Sequence, residues 1–170
     1  MRGWGCLGVR STPKHPQSPP NCVTPNSIII LAYMDQKPAG FKENEHTADW
    51  ELEAWAPNLA ALLEQAARGM GRLAGMKLKS SPRVSRRLDI QAEDPESLLV
   101  RFLSEILYLG EQDGLGFDRY SIELDGYRLK ANISGAPIAS LAKDIKAVTY
   151  HNLSIQTSAR GFEARIVFDV

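Results

Sequence analysis

Two short acidic stretches hold the residues whose types and spacing are best suited to chemistry. The first, EHTAD, contains Glu45, His46 and Asp49 within five positions, directly before a predicted strand. The second is the end of the sequence, where Asp169 follows an apolar strand and Val170 would add a free α-carboxylate. Hard divalent cations such as calcium and magnesium need several oxygen ligands at about 2.0–2.6 Å. The two stretches could share a metal ion if the first and last predicted strands were neighbours.

Each acidic stretch also has a simpler interpretation. The EHTAD segment could be a polar loop whose side chains hydrogen-bond to their own backbone. The carboxylates at the end of the sequence could be solvated surface groups. Taken alone, the residue types leave both interpretations open.

Glu105 and His151 are further candidates. His151 is predicted on the same strand face as Thr149 and Leu153, which favours a packed, hydrogen-bonded histidine as much as a functional one. Glu105 falls at the margin of the apolar face of a helix, where a carboxylate usually reaches towards solvent.

The commonest enzyme signatures are missing from the sequence. It contains no GxxxxGK[ST] phosphate loop, no GxGxxG after a predicted strand, no GxSxG and no HExxH. The two cysteines, Cys6 and Cys22, have no CxxC or Cys/His ligand spacing, so neither a zinc ribbon nor a disulfide framework is predicted. No apolar run approaches the roughly 18–20 residues that span a bilayer. We therefore expect a cytoplasmic protein that does not enter a membrane.

The distribution of charge separates two parts of the chain. Residues 1–40 carry four Lys/Arg against one Asp and six of the ten prolines, a composition that predicts a disordered N-terminal extension. Residues 41–170 carry sixteen basic against nineteen acidic side chains and are predicted to form one domain. This slightly acidic balance disfavours direct, tight binding of RNA or DNA, which usually needs a basic surface.

The hydrophobic patterns predict an α+β domain in which two helices pack on a largely antiparallel sheet. The predicted order is β-α-β-α-β-β-β-β, beginning with the strand WELEAWA at residues 50–56. Asp94 and Pro95 open the second helix as N-cap and first helical residue. Asp125 and Gly126 predict a hairpin turn that sets Glu123 opposite Arg128.

Four blocks, in this order and at these spacings, resemble the archease family: EHTADWELEAWA, RFLSEILYL, IKAVTYHNL and the ending IVFDV. The resemblance covers residues 41–170. Trp50 departs from it, because a smaller aliphatic residue is more usual there, and residues 1–40 have no counterpart. The resemblance implies an accessory protein of the RtcB-type RNA ligase, which joins a 2′,3′-cyclic phosphate or 3′-phosphate to a 5′-hydroxyl in tRNA splicing or RNA repair.

The resemblance also implies roles for individual residues. Asp49 and Asp169 would hold a divalent metal ion, calcium or else magnesium or manganese, with Val170 contributing. Glu45 and His46, and with them Glu105 and His151, would orient ligands or contact the partner. The protein would promote guanylylation of the ligase for multiple turnover and would itself have no catalytic residues. RNA would be contacted only through the ligase.

Two other functions remain open. One is a small metal-dependent phosphoesterase, in which Asp49, Asp169 and His46 hold a metal ion that activates water. The other is a chaperone-like protein-binding module whose acidic residues bind no metal.

Overall fold

The computed structural model describes residues 39–45 and 50–170, and of Asn44 and Glu45 it describes the backbone alone. These residues form eight strands and two helices. In chain order they are β1 (Gly40–Glu45), β2 (Trp50–Ala56), α1 (Leu59–Leu73), β3 (Lys77–Leu78), β4 (Val84–Gln91), α2 (Pro95–Asp113), β5 (Leu115–Asp125), β6 (Arg128–Ser140), β7 (Ala147–Ser158) and β8 (Gly161–Asp169).

The strands form two antiparallel sheets. One has the order β1-β2-β8-β7, and in the other β6 pairs with β3, β4 and β5. The predicted α+β class and the predicted order of elements are confirmed. The structure adds β1 and the two-residue β3, and it divides the strands between two sheets where the sequence predicted one. The predicted extension, residues 1–40, lies outside the described residues except for Ala39 and Gly40, and Gly40 begins β1.

Both helices begin at side chains that accept hydrogen bonds from the first turn. Asn58 accepts from the N–H of Ala61 at 2.9 Å, and Asp94 accepts from the N–H of Ser97 at 2.7 Å. These bonds satisfy donors that have no partner inside a helix. The predicted N-cap of α2 is therefore confirmed. Among residues 39–45 and 50–170, no helix is both long enough and apolar enough to cross a membrane.

The hydrophobic core lies where the helices meet the two sheets. α1 packs against β2 and β5, α2 packs against β7 and β5, and the helices contact each other. Phe102 on α2 and Phe168 on β8 are both fully buried. The Phe102 ring meets the Tyr120 ring edge-on, with centroids 6.4 Å apart. Burial of each such phenylalanine contributes about 1.5–3 kcal/mol, so the core fixes β8 against the helices.

The hairpin between β5 and β6 differs from its predicted register. Asp125 pairs with Arg128, so the two turn residues are Gly126 and Tyr127, and Glu123 lies opposite Lys130. Gly126 has a φ of +57°, which glycine adopts more readily than other residues. The predicted turn was one residue too early, and the predicted pair between Glu123 and Arg128 is wrong.

Candidate metal site at the end of the β2–β8 ladder

The first and last strands predicted from the sequence are neighbours in the structure. β2 and β8 form an antiparallel ladder in which Trp50 pairs with Phe168. Asp49 precedes Trp50 in the chain and Asp169 follows Phe168, so each aspartate is one peptide bond from the same pair. The condition that the sequence set for a shared metal ion, adjacency of these two strands, is therefore met.

The EHTAD segment connects β1 to β2. Glu45 pairs with Trp50, so residues 46–49 link the two strands. His46 and Asp49 lie outside the described residues, and the side chain of Glu45 is not described. Their assignment as metal ligand or supporting groups stays a prediction.

Asp169 presents an exposed carboxylate at the last residue of β8. Its main-chain oxygen accepts a hydrogen bond from the N–H of Lys146 at 2.9 Å. Among residues 39–45 and 50–170, no side chain donates a hydrogen bond to this carboxylate or forms an ion pair with it. A cation from solution can therefore approach it without displacing a partner that belongs to those residues.

Val170 lies beside a lysine ammonium group. The Nζ of Lys146 donates a hydrogen bond to the main-chain oxygen of Val170 at 3.0 Å. The Val170 side chain is half-buried and packs against the hydrophobic core. We use the name strand corner for Trp50, Lys146, Asp169 and Val170. The strand corner thus already contains one positive charge next to its oxygen atoms.

The donor atoms at the strand corner suit a hard divalent cation, but their number is too small. Carboxylate and carbonyl oxygens are the ligands that calcium, magnesium and manganese prefer. Asp169 and Val170 offer such oxygens, yet no group of three or more His, Cys, Asp or Glu side chains with metal-binding geometry occurs within the described ranges. Further protein ligands must come from residues outside those ranges, where the sequence predicts Asp49.

A second lysine at this end of the ladder contacts an aromatic ring. The Nζ of Lys143 lies 2.9 Å from the centroid of the Trp50 ring, a cation–π contact. Lys143 and Lys146 are both exposed, and both make contacts at this end of β2 and β8. Only the three-dimensional register brings these lysines to the ends of the two strands, so no local sequence signal identifies their contacts.

The opposite end of the same ladder contains an internally paired charge cluster. Arg160 donates hydrogen bonds to Glu163 at 2.8 Å and to Glu53 at 3.1 Å. The hydrogen bond to Glu163, and then the one to Glu53, raise the pKa of the Arg160 guanidinium above its ordinary value. The same guanidinium lies 4.6 Å from the centroid of the Trp55 ring.

Glu105 lies in a different part of the fold from the strand corner. It is half-buried on α2 and lines a shallow groove with Arg101 and Tyr108 of the same helix and with residues of β4. β4 belongs to the sheet that does not contain β8. No contact of Glu105 with the strand corner occurs in the described part of the chain, and its proposed supporting role stays a prediction.

His151 is exposed, so the packed interpretation of this histidine is wrong. Thr149 pairs with Val167 and Ser154 pairs with Arg165, which leaves residues 150–153 of β7 opposite a single residue of β8. This bulge interrupts the alternation on which the packed interpretation depended. Asn152 within it has a φ of +53°, and its Nδ2 lies 3.0 Å from Nε2 of His151. The supporting role of His151 stays a prediction.

Comparison with protein families and comparison with individual proteins both find archeases. Residues 41–170 match the archease protein family (MTH1598/TM1083). Protein archease of Methanosarcina acetivorans is 36% identical over 135 residues, covering 74% of this chain and 92% of its own length. Protein archease of Thermococcus gammatolerans is 32% identical over 120 residues, covering 66% and 84% of the two chains.

Two solved structures are similar to the chain. The solution structure of Methanobacterium thermoautotrophicum protein 1598 matches with a TM-score of 0.59 and 24% identity, covering 77% of this chain and 99% of that one. The crystal structure of an archease from Thermotoga maritima, described as a possible chaperone, matches with a TM-score of 0.57 and 25% identity, covering 76% and 96%. The first likeness supports the fold alone. Given the family match and the identity to its curated members, the chain belongs to the archease family.

Proposed function

We propose that this protein is a metal-binding accessory protein of an RtcB-type RNA ligase, which it activates for multiple turnover by promoting guanylylation. Its substrates would be reached only through the ligase, in tRNA splicing or RNA repair. The metal would be calcium, or magnesium or manganese, held by Asp49 and Asp169 with Val170 contributing. The protein would act in the cytoplasm and would not itself be an enzyme.

The observation that carries this proposal is the pair Trp50–Phe168 at the end of the β2–β8 ladder. Asp49 precedes Trp50 and Asp169 follows Phe168, each by one peptide bond. Two carboxylates near one another repel unless a cation lies between them, since like charges a few ångströms apart disfavour joint ionisation. A divalent cation shared by the two aspartates would remove this repulsion.

The surroundings of Asp169 support an external cation. Its carboxylate is exposed and has no internal cationic partner among the described residues. Lys146 instead directs its ammonium to the main-chain oxygen of Val170. A bound divalent cation would supply concentrated positive charge at the surface that meets the ligase. In this proposal the residues of the chain hold that charge at the end of a rigid ladder.

The direct test is a multiple-turnover ligation assay with a purified RtcB-type ligase, GTP and manganese, on RNA with a 3′-phosphate and a 5′-hydroxyl. Wild type is compared with Asp49→Ala and Asp169→Ala. Glu163→Gln is the matched control, because it removes an acid from the other end of the same strand, where Arg160 pairs with that acid. We expect stimulation by wild type and by the control, and loss of stimulation in both aspartate variants with folding intact.

Other outcomes would assign a different function. Absence of stimulation with a cognate ligase would contradict the proposal, and metal-dependent hydrolysis by the isolated protein would support the phosphoesterase. Stimulation that survives both aspartate substitutions would contradict the metal assignment and would support a partner-binding module that needs no metal.

A further inference from the structure

An apolar cavity of about 190 Å³ opens between α1, α2 and the loop of residues 141–146. Ala67 and Met70 of α1, Ile106 of α2 and Leu115 of β5 form part of its wall. Its lining includes neither Trp50 nor Asp169, so it is distinct from the candidate metal site.

The size of the cavity limits what it can hold. Sites for drug-sized ligands and cofactors usually occupy about 300–1,000 Å³. A dry apolar cavity of about 150 Å³ can accept benzene. A volume of about 190 Å³ therefore matches one large apolar side chain better than a cofactor.

Two methionines give the cavity an adaptable wall. Met70 is 3% exposed and Met76 is half-buried, and they are the only methionines in residues 39–45 and 50–170. Met76 fills space left by Gly71, where an added Cβ would lie 2.9 Å from the methionine methyl carbon. Methionine has three rotatable bonds and a polarisable sulfur, so it adapts to different apolar partners and is frequent at protein-binding surfaces.

The rim of the cavity is acidic and partly apolar. Glu111 and Asp144 are exposed, and in the described part of the chain neither side chain has a hydrogen bond or an ion pair. Lys143, the third charged residue of the lining, has its ammonium against the Trp50 ring. Leu141 is 46% exposed beside them. The charge available to a partner is therefore negative, next to an exposed leucine.

We propose that this cavity is a docking site for a segment of a protein partner in which one large apolar side chain is flanked by basic side chains. The apolar side chain enters between the two helices and contacts Met70 and Met76. The basic flanks lie against Glu111 and Asp144. This docking site goes beyond the proposed ligase activation and does not depend on the bound metal.

The test is a titration of the full chain, labelled with ¹³C in the methionine methyl groups, with three short peptides. They are acetyl-Lys-Phe-Lys-amide, acetyl-Lys-Ala-Lys-amide and acetyl-Glu-Phe-Glu-amide. The NMR signals of Met70 and Met76 are assigned by Met→Leu substitution. We expect the first peptide to shift both signals. The alanine peptide should bind about tenfold more weakly or worse, because it buries no aromatic ring, and the glutamate peptide should also bind more weakly than the first.

Two pairs of variants locate the binding. Gly110 lines the cavity, and an added Cβ there has its nearest neighbour, the Leu115 main-chain oxygen, at 3.5 Å. Gly110→Leu should abolish the shifts, whereas Gly110→Ala should retain them. The double substitution Glu111→Gln with Asp144→Asn should remove the preference for basic flanks. Its matched control, Glu93→Gln with Asp125→Asn, removes the same charge elsewhere and should retain the preference.

Several results would overturn the inference. They are unchanged Met70 and Met76 signals with the first peptide, equal affinity for all three peptides, and shifts that survive Gly110→Leu. A change of both signals with protein concentration alone would show that a second copy of the chain fills the cavity, which also overturns it. If Gly110→Leu does not fold, the peptide series on the wild-type chain still decides.

Discussion

At one end of the β2–β8 ladder Arg160 joins Glu53 to Glu163, and at the other end the carboxylate of Asp169 has no cationic partner among the described residues. Each end also has a cation against a tryptophan, Arg160 on Trp55 and Lys143 on Trp50. Glu53 and Glu163 therefore differ from Asp169 in what neutralises them, and Glu51, next to Trp50, is paired with Arg165. At one end the chain supplies the positive charge, and at the other we propose that a metal ion does.

This difference separates acids that serve the fold from an acid that remains available. Glu53 and Glu163 are half-buried, and each is tied to a guanidinium whose fork geometry suits carboxylates. Asp169 is exposed, and the nearby Lys146 bonds to main-chain oxygens. Four substitutions test this contrast, in order of decreasing expected effect.

Phe168→Ala should destabilise the fold around the strand corner. Phe168 is fully buried and pairs with Trp50, so its loss should lower the free energy of unfolding by about 3–5 kcal/mol. Phe162→Ala at the other end is the matched control and should cost less than about 3 kcal/mol, because Phe162 is half-buried. Urea denaturation of both variants measures this, and equal losses would contradict the packing described for β8.

Asp169→Asn should remove stabilisation of the fold by a divalent cation. A ligand that binds only the folded state adds about 2.7 kcal/mol at a hundred times its dissociation constant. We expect wild type and Glu163→Gln to gain stability as calcium, magnesium or manganese is added, and Asp169→Asn to gain none. Thermal unfolding across a metal titration provides the measurement. An unchanged gain in Asp169→Asn would contradict the assignment of this carboxylate as a ligand.

Lys146→Met should increase affinity for a divalent cation, because it removes a competing positive charge beside Val170. Two unit charges 4 Å apart interact by about 1 kcal/mol in water, so repulsion between one lysine and a divalent cation is about 2 kcal/mol, and the increase should be up to about thirtyfold. Stability without metal should change by less than about 0.5 kcal/mol. Calorimetric titration at low and high salt measures the affinity. A decrease in affinity would show that Lys146 supports the metal site.

Arg160→Met should give the smallest effect, a minor loss of stability with no change in metal binding. The Arg160 side chain is 38% exposed, and exposed ion pairs contribute little. The loss should shrink in 1 M salt, where the Debye length is about 3 Å. Thermal unfolding at two salt concentrations measures it. If the substitution changed metal affinity as strongly as Asp169→Asn does, the two ends of the ladder would not be independent.

Much of the fold follows from local sequence chemistry. The N-cap at Asp94 and the alternating strand that begins at Trp50 were predicted from residue types and spacing, because each signal lies within a few residues. β1 was missed because GFKENE has only one large apolar residue, Phe41, so the alternation that marks a strand is absent. β3 was missed because two residues are too short for any pattern.

The predictions that were wrong concern features that depend on how strands pair with one another. The register of the β5–β6 hairpin follows Gly126, and the exposure of His151 follows a bulge that only the opposing strand reveals. At the candidate site, residue type made Asp169 a candidate ligand and the family resemblance assigned it that role, which stays a prediction; its exposure and the contacts of Lys146 required the folded chain. The assignment of Asp49 stays a prediction from the sequence.

The most direct test of the strand corner as a metal site is titration of the ¹⁵N-labelled protein with Mn²⁺, whose unpaired electrons broaden NMR signals of nearby nuclei. We predict early and selective broadening of the amide signals of Trp50 and Ala147, which flank the end of β8, while those of Ala56 and Phe162 at the other end stay sharp. Broadening centred on Phe162, or no selective broadening at any Mn²⁺ concentration, would contradict the account.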